Sequence, residues 1–95
     1  MLKHIVMYKL KDTSPETLKK IGETFMSMKG KIDVLKDIKC GADVLRSGRS
    51  YDYALECVFE SMEDMQVYQT HPLHLPVKAF MSTVAECSVC VDYEF

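Results

Sequence analysis

Tryptophan is absent from this chain of 95 residues, and proline (three), glycine (four) and arginine (two) are scarce. Each shortage excludes something. So little proline and glycine rules out a collagen-like or low-complexity chain, and 47% hydrophobic with 27% charged residues rules out a disordered one. No apolar run approaches the roughly 18 residues of a membrane span, so no membrane partner is expected. The opening MLKHIVMYKLKD is too short and too interrupted by Lys9 and Lys11 for a secretory core, and the expected compartment is the cytoplasm. Arg46 and Arg49 are the only arginines, too few for a phosphate-reading surface, and nucleic acid is not an expected partner. Four cysteines, Cys40, Cys57, Cys87 and Cys90, are few for a disulfide scaffold and read as reduced thiols. Cys87 and Cys90 fall in a strand-like run, where positions i and i+3 point to opposite faces, so their spacing does not make a zinc or redox site. No P-loop, dinucleotide-binding glycine pattern, GxSxG or HExxH occurs, and no cofactor is expected.

What the chain does contain is enough apolar residue for one thin core, hence a single domain over 1–95. Its charge is uneven. Residues 1–49 hold 11 basic and 6 acidic side chains, residues 50–95 hold 1 and 8. Folded together, the halves make a dipolar surface suited to self-association or to an anionic ligand, or simply two solvated faces.

His4 to Leu10 predicts a strand with apolar groups on both faces: His4, Val6, Tyr8, Leu10 on one and Ile5, Met7 on the other. Ser14 as N-cap with Pro15 at the first turn predicts a helix over 14–29, with Leu18, Ile21, Phe25 and Met28 inward and Gly30 at its end. A weaker strand is expected over Ile38–Val44, with Gly41 as a bulge or close-approach position. Tyr51 to Phe59 alternates cleanly and predicts a third strand. Ser61 opens a short helix to about Gln69 with Met62, Met65 and Tyr68 inward, and a second starts at Pro76 with Val77, Phe80, Met81 and Val84 apolar. Glu86 to Phe95 alternates again as the last strand.

The order βαββαβ predicts an α+β ferredoxin-like sandwich: a four-stranded antiparallel sheet with the helices on one face. The other face keeps Ile5, Met7 and half of the last strand, too much apolar surface for an exposed sheet, so a second copy is expected to cover it.

The stretch Tyr68-Gln-Thr-His71-Pro-Leu-His74-Leu-Pro76 concentrates an aromatic hydroxyl and two imidazoles in a proline-bounded connector. If the face bearing His4, Val6 and Tyr8 meets the helices, these groups join Tyr53 and Leu55 from the third strand and His71 from the connector. Together they line an apolar space with a few convergent polar tips, as a small-molecule site requires. Histidine suits proton transfer near neutral pH, and a tyrosine hydroxyl can polarise a carbonyl. Each residue also has a plainer role: His71 bonding nearby backbone, His4 as a satisfied core histidine, Tyr68 and His74 packing the connector down. The His71–His74 spacing would serve zinc only on a helix, which Pro72 opposes, and no third ligand stands beside it, so no metal is expected.

The opening HIVMYKLKD, the central LKDIKCGADV, the YDYALECVFES segment, the YQTHPLHLPV connector and the closing VDYE together resemble the stress-responsive α/β-barrel (Dabb) family of the dimeric α/β-barrel superfamily. The resemblance implies a ferredoxin-like protomer that dimerises through its sheets. In a plant polyketide-cyclase branch of that family, a Tyr of the second helix and the last His of the HPxH segment form a cofactor-free catalytic pair for aldol ring closure of a poly-β-keto acid. The matching positions are Tyr68 and His74. The first-strand His matches at His4, whereas Tyr53 stands where that branch has a third-strand His.

Three functions are therefore open: a homodimer with a pocket for a small aromatic or β-keto acid and proton-transfer chemistry, a non-catalytic stress-associated assembly protein, and a cofactor-independent monooxygenase. A divalent cation held at the dimer by backbone carbonyls lies outside what the residues can indicate.

Overall fold

In the computed structural model all 95 residues are described. The elements run β1 (Leu2–Leu10), α1 (Pro15–Met26), β2 (Asp37–Ala42), β3 (Tyr53–Phe59), α2 (Met62–Gln69), α3 (Leu75–Val84) and β4 (Ala85–Glu94). All strand pairs are antiparallel, in the order β2-β3-β1-β4, which is the expected ferredoxin-like sheet. The helices pack on one face. Val6, Ile38, Tyr53, Leu55, Cys57 and Phe59 of the sheet meet Ile21, Phe25, Tyr68, Val77 and Met81 of the helices, all of them buried.

Local chemistry sets the boundaries. Ser14 caps α1 by accepting the Thr17 N–H, and Pro15 opens the first turn. The helix stops at Met26, short of the expected 29, because the Met28 and Lys29 N–H groups bond three residues back, to Phe25 and Met26. That tighter winding still buries Met28, and Gly30 then takes a left-handed φ of 75°, which turns the chain so that Ile32 and Leu35 return to the core.

Four further expectations need correction. β2 ends at Ala42, and Val44 is 93% exposed, because the Asp43 N–H bonds to the Asp52 carbonyl and closes a loop there. Gly41 is neither a bulge nor a close approach: β2 and β3 pair without a register shift, and a Cβ at this position would meet nothing within 4 Å. The one irregularity in the ladders lies between β1 and β4, at Lys9/Leu10. β3 begins at Tyr53, not Tyr51, since Asp52 turns its carboxylate inward to accept the Leu10 N–H at 2.8 Å and Arg46 at 2.9 Å. Met62 faces solvent, leaving Met65 and Tyr68 as the inward residues of α2.

The face away from the helices carries Met7, Val89, Val91 and Tyr93, each more than a third exposed, beside half-buried Ile5. β4 is an edge strand without helix cover, and nearly all of its residues are exposed.

Candidate functional site

Tyr68 reaches the interior because Ser61 accepts the Asp64 N–H and starts α2 in a phase that turns its seventh residue to the sheet. After Thr70 the chain is held by its own backbone: His71 N–H to the Tyr68 carbonyl at 3.1 Å, and His74 and Leu75 N–H to the His71 carbonyl at 2.9 and 3.1 Å. The His71 Nδ1 accepts the Leu73 N–H at 3.0 Å, so this imidazole stiffens the connector. His74 stands at the start of α3 yet makes no side-chain cap, its ring being turned into the core instead.

There the Tyr68 and His74 rings stack, with centroids 3.9 Å apart and planes 22° from parallel, and the Phe59 ring lies tilted against the tyrosine at 5.0 Å. The His74 Nδ1 is buried without a hydrogen-bond partner. Burial pulls the His74 pKa down to about 4, against the opposing pull of the Gln69 and Tyr68 carbonyls and with help from Lys78 and His4, so the ring is neutral at pH 7. Tyr68 is held protonated, its pKa raised by burial and by the neighbouring Cys57 and Tyr8. Its only polar neighbour is the Cys57 thiol, which donates to the hydroxyl at 3.9 Å and is itself pushed up to about 12 by burial.

The sheet beneath is ordered by register. His4 pairs with Cys57, Val6 with Leu55 and Tyr8 with Tyr53, three rows on the helix-facing side. On the other flank of β1, His4 lies opposite Asp92 of β4, and its Nδ1 meets the Asp92 carboxylate at 2.5 Å. That contact fixes a proton on Nδ1 and leaves Nε2 as the free ring nitrogen. Two rows along, Tyr8, its pKa pushed up to about 12 by burial, and Tyr53 flank Phe25, with centroids 5.8 and 6.0 Å away. The Tyr53 hydroxyl donates to Cys40 Sγ at 3.5 Å.

The structure thus brings together Tyr68, His74, Cys57 and the His4 row, with Val6 and Leu55 as the apolar step towards Tyr8. Tyr53 belongs to the far end, beside α1 and β2, and half-buried His71 is engaged on the connector. The interior between Tyr68, His74 and the sheet is filled by side chains. One hollow, about 330 Å³, opens past α3 and β4 along Tyr8, Lys78, Met81, Ala85, Cys87 and Ser88, and another, about 490 Å³, opens beside the connector along Leu73, Pro76 and Val77. No three His, Cys, Asp or Glu side chains converge as a metal group would.

Asp92 and Cys57 were not among the expected site residues. Cys57 carried a signal in the alternation of the third strand, two positions beyond Leu55. Asp92 carried a fainter one, for which strand the last one pairs with, and in what register, is not written in either segment alone.

The model of the stress responsive A/B barrel domain family matches residues 2–95. The chain belongs to this family. Among its relatives is olivetolic acid cyclase of Cannabis sativa, 32% identical over 77 residues that cover 78% of this chain and 76% of that protein. A dimeric ferredoxin-like protein of unknown function from Bacteroides fragilis shares 31% identity and superposes with a TM-score of 0.85, over 99% of this chain and 95% of that one. A hydroxynitrile lyase from Passiflora edulis, at 21% identity, TM-score 0.83 and coverage of 97% and 90%, is a likeness of fold. This protomer thus has the fold of a protein described as dimeric, and one of its relatives is named as a cyclase.

Proposed function

We propose that this A/B barrel protein acts as a homodimer that binds a small carbonyl compound, of the aromatic or β-keto acid class, between sheet and helices, and moves a proton on it without a cofactor. The observation that carries the reading is the His74 Nδ1: buried, unpartnered and neutral, on a ring stacked against a protonated tyrosine. A buried polar atom without a partner is costly, and such atoms in native proteins call for an explanation. A neutral imidazole there accepts a proton from a C–H beside a carbonyl, while the Tyr68 hydroxyl, with only a weak thiol for company, donates to the carbonyl oxygen as charge builds on it. His4, braced by Asp92, offers Nε2 as a second acceptor on the same face. The relative named as a cyclase supports the substrate class, and Tyr53, set apart beside Cys40, belongs to the wall of the site.

The test is exchange of the α-protons of a β-keto acid in D₂O followed by NMR, beside a ligand-observed screen of small phenolic and β-keto acids. Wild-type protein is expected to bind and to accelerate exchange over buffer, and Tyr68→Phe/His74→Ala to lose both. Equal exchange with the two proteins overturns the reading. The filled interior favours one other role, that of a non-catalytic assembly protein. Its signature is a heat-stable oligomer by light scattering that binds none of these acids.

A further inference from the structure

Residues 50–95 hold eight acids and a single base, Lys78. That ammonium takes part in none of the ion pairs of the chain. It is exposed, and its Nζ donates one long bond, to the Gln69 carbonyl at 3.4 Å.

The place of Lys78 in α3 ties it to the candidate site. It follows His74 by one helical turn, about 6 Å along the axis, and its N–H bonds to the His74 carbonyl at 3.0 Å. Side chains on a helix lean towards its N-terminus, which sends the Lys78 ammonium towards His74. The Gln69 carbonyl marks how near it comes, since it accepts from Nζ and also pulls the His74 pKa upward. Further along α3, Lys78, Met81 and Ser82 face Tyr8 and Ser88 across the hollow of about 330 Å³. Tyr8 and Ser88 pair between β1 and β4, on the helix-facing side that also carries Val6 and His4. Lys78 is the only charged side chain in the wall of this hollow. The larger hollow beside the connector mixes Glu23 with Lys20 and Lys31. An anion thus meets an unopposed positive charge past α3 and a divided one beside the connector.

We propose that Lys78 binds the carboxylate of the substrate at the mouth of the site formed by Tyr68 and His74, and so selects β-keto acids over their uncharged esters. This deepens the proton-transfer reading and rests on it.

The spacing suits that class. In a β-keto acid one bond separates the carboxylate from the carbon that gives up its proton. A charge-assisted bond of about 2.8 Å from Nζ to the carboxylate therefore leaves that carbon within a helical turn of Lys78, where His74 stands. The bond to Gln69 that the ammonium gives up is long and weak. Binding also prepares the base. The Lys78 charge is one of the pulls that hold the His74 pKa low, and a carboxylate on Lys78 offsets it, so the imidazole gains basicity when there is a proton to take.

Benzoylacetate and its methyl ester test the assignment, by α-proton exchange in D₂O followed by NMR. Lys78 is exposed, and its replacement spares the fold. The wild type is expected to accelerate exchange of the acid over buffer about tenfold more than that of the ester, the scale of a hydrogen bond to a charged group. Lys78→Gln should raise KM for the acid about tenfold with kcat within about twofold, and the preference should vanish. Lys19→Gln, which removes the same charge from an exposed position of α1, should keep the preference. A Lys78→Gln protein that retains it, or that loses acid and ester alike, overturns the role of Lys78 and leaves the proton-transfer reading standing. Absence of acceleration with the wild type, for either compound, overturns that reading and this inference with it.

Discussion

The Tyr68 ring lies on the His74 ring at 3.9 Å between centroids, while the tyrosine hydroxyl has no oxygen or nitrogen partner, only the Cys57 thiol. The ring therefore holds the structure and the hydroxyl does not. Tyr68→Ala is expected to cost about 3–5 kcal/mol, as for other fully buried aromatics, and Tyr68→Phe less than about 1 kcal/mol. Urea denaturation of the two variants at equal protein concentration checks the contrast. Tyr68→Phe is consequently a clean probe of function.

Stability should fall between pH 6.5 and 4 on account of His74. Its folded pKa is lowered to about 4, so in that window the unfolded chain binds the proton and the folded chain does not. The loss is roughly 2 kcal/mol after allowance for solvent screening, fully developed below pH 4. Asp52, whose pKa is lowered chiefly by the Leu10 N–H, acts in the same sense, but only below its ordinary value of 3.8, outside this window. Denaturation midpoints at pH 7 and pH 5 should therefore differ in the wild type and converge in His74→Gln.

A Cβ at Gly22 would stand 3.0 Å from the Tyr53 hydroxyl. Alanine in mid-helix gains about 1 kcal/mol over glycine, so Gly22→Ala alone should come out near neutral, the gain offset by displacing that hydroxyl from Cys40. In a Tyr53→Phe background the same change should stabilise by about 0.5–1 kcal/mol. A double-mutant cycle of thermal or urea stabilities measures the coupling.

His4 should carry a proton on Nδ1, facing Asp92. Long-range ¹H–¹⁵N correlation spectra are expected to show that tautomer in the wild type and a mixture in Asp92→Ala. Retention of a single Nδ1–H tautomer in the variant would show that something other than the carboxylate orients the ring.

Much of the fold was legible because its signals are local. The alternation from Tyr53 to Phe59 buries Tyr53, Leu55, Cys57 and Phe59 in turn, and the serines at 14 and 61 cap the helices they announce. Val44 misled because an aliphatic residue at a strand end reads as strand, and only the Asp43–Asp52 contact shows that the chain has already turned. Met62 misled because a first-turn apolar residue satisfies the helical spacing whether or not anything lies beneath it. In the site, the pairing of Tyr68 with His74 was within reach of the connector alone, while the separation of Tyr53 from them depends on the length of β3 and the position of Phe25.

The His4–Asp92 contact joins residues 88 positions apart, across the pairing of the first strand with the last. During synthesis His4 leaves the ribosome 88 residues before its carboxylate does. Closing so long a loop is slow, and β1 meanwhile exposes an unpaired edge beside its other neighbour, β3. The acid that orients His4 therefore arrives only when the sheet is finished, and a chain stalled before β4 holds Tyr68 and His74 but lacks that brace.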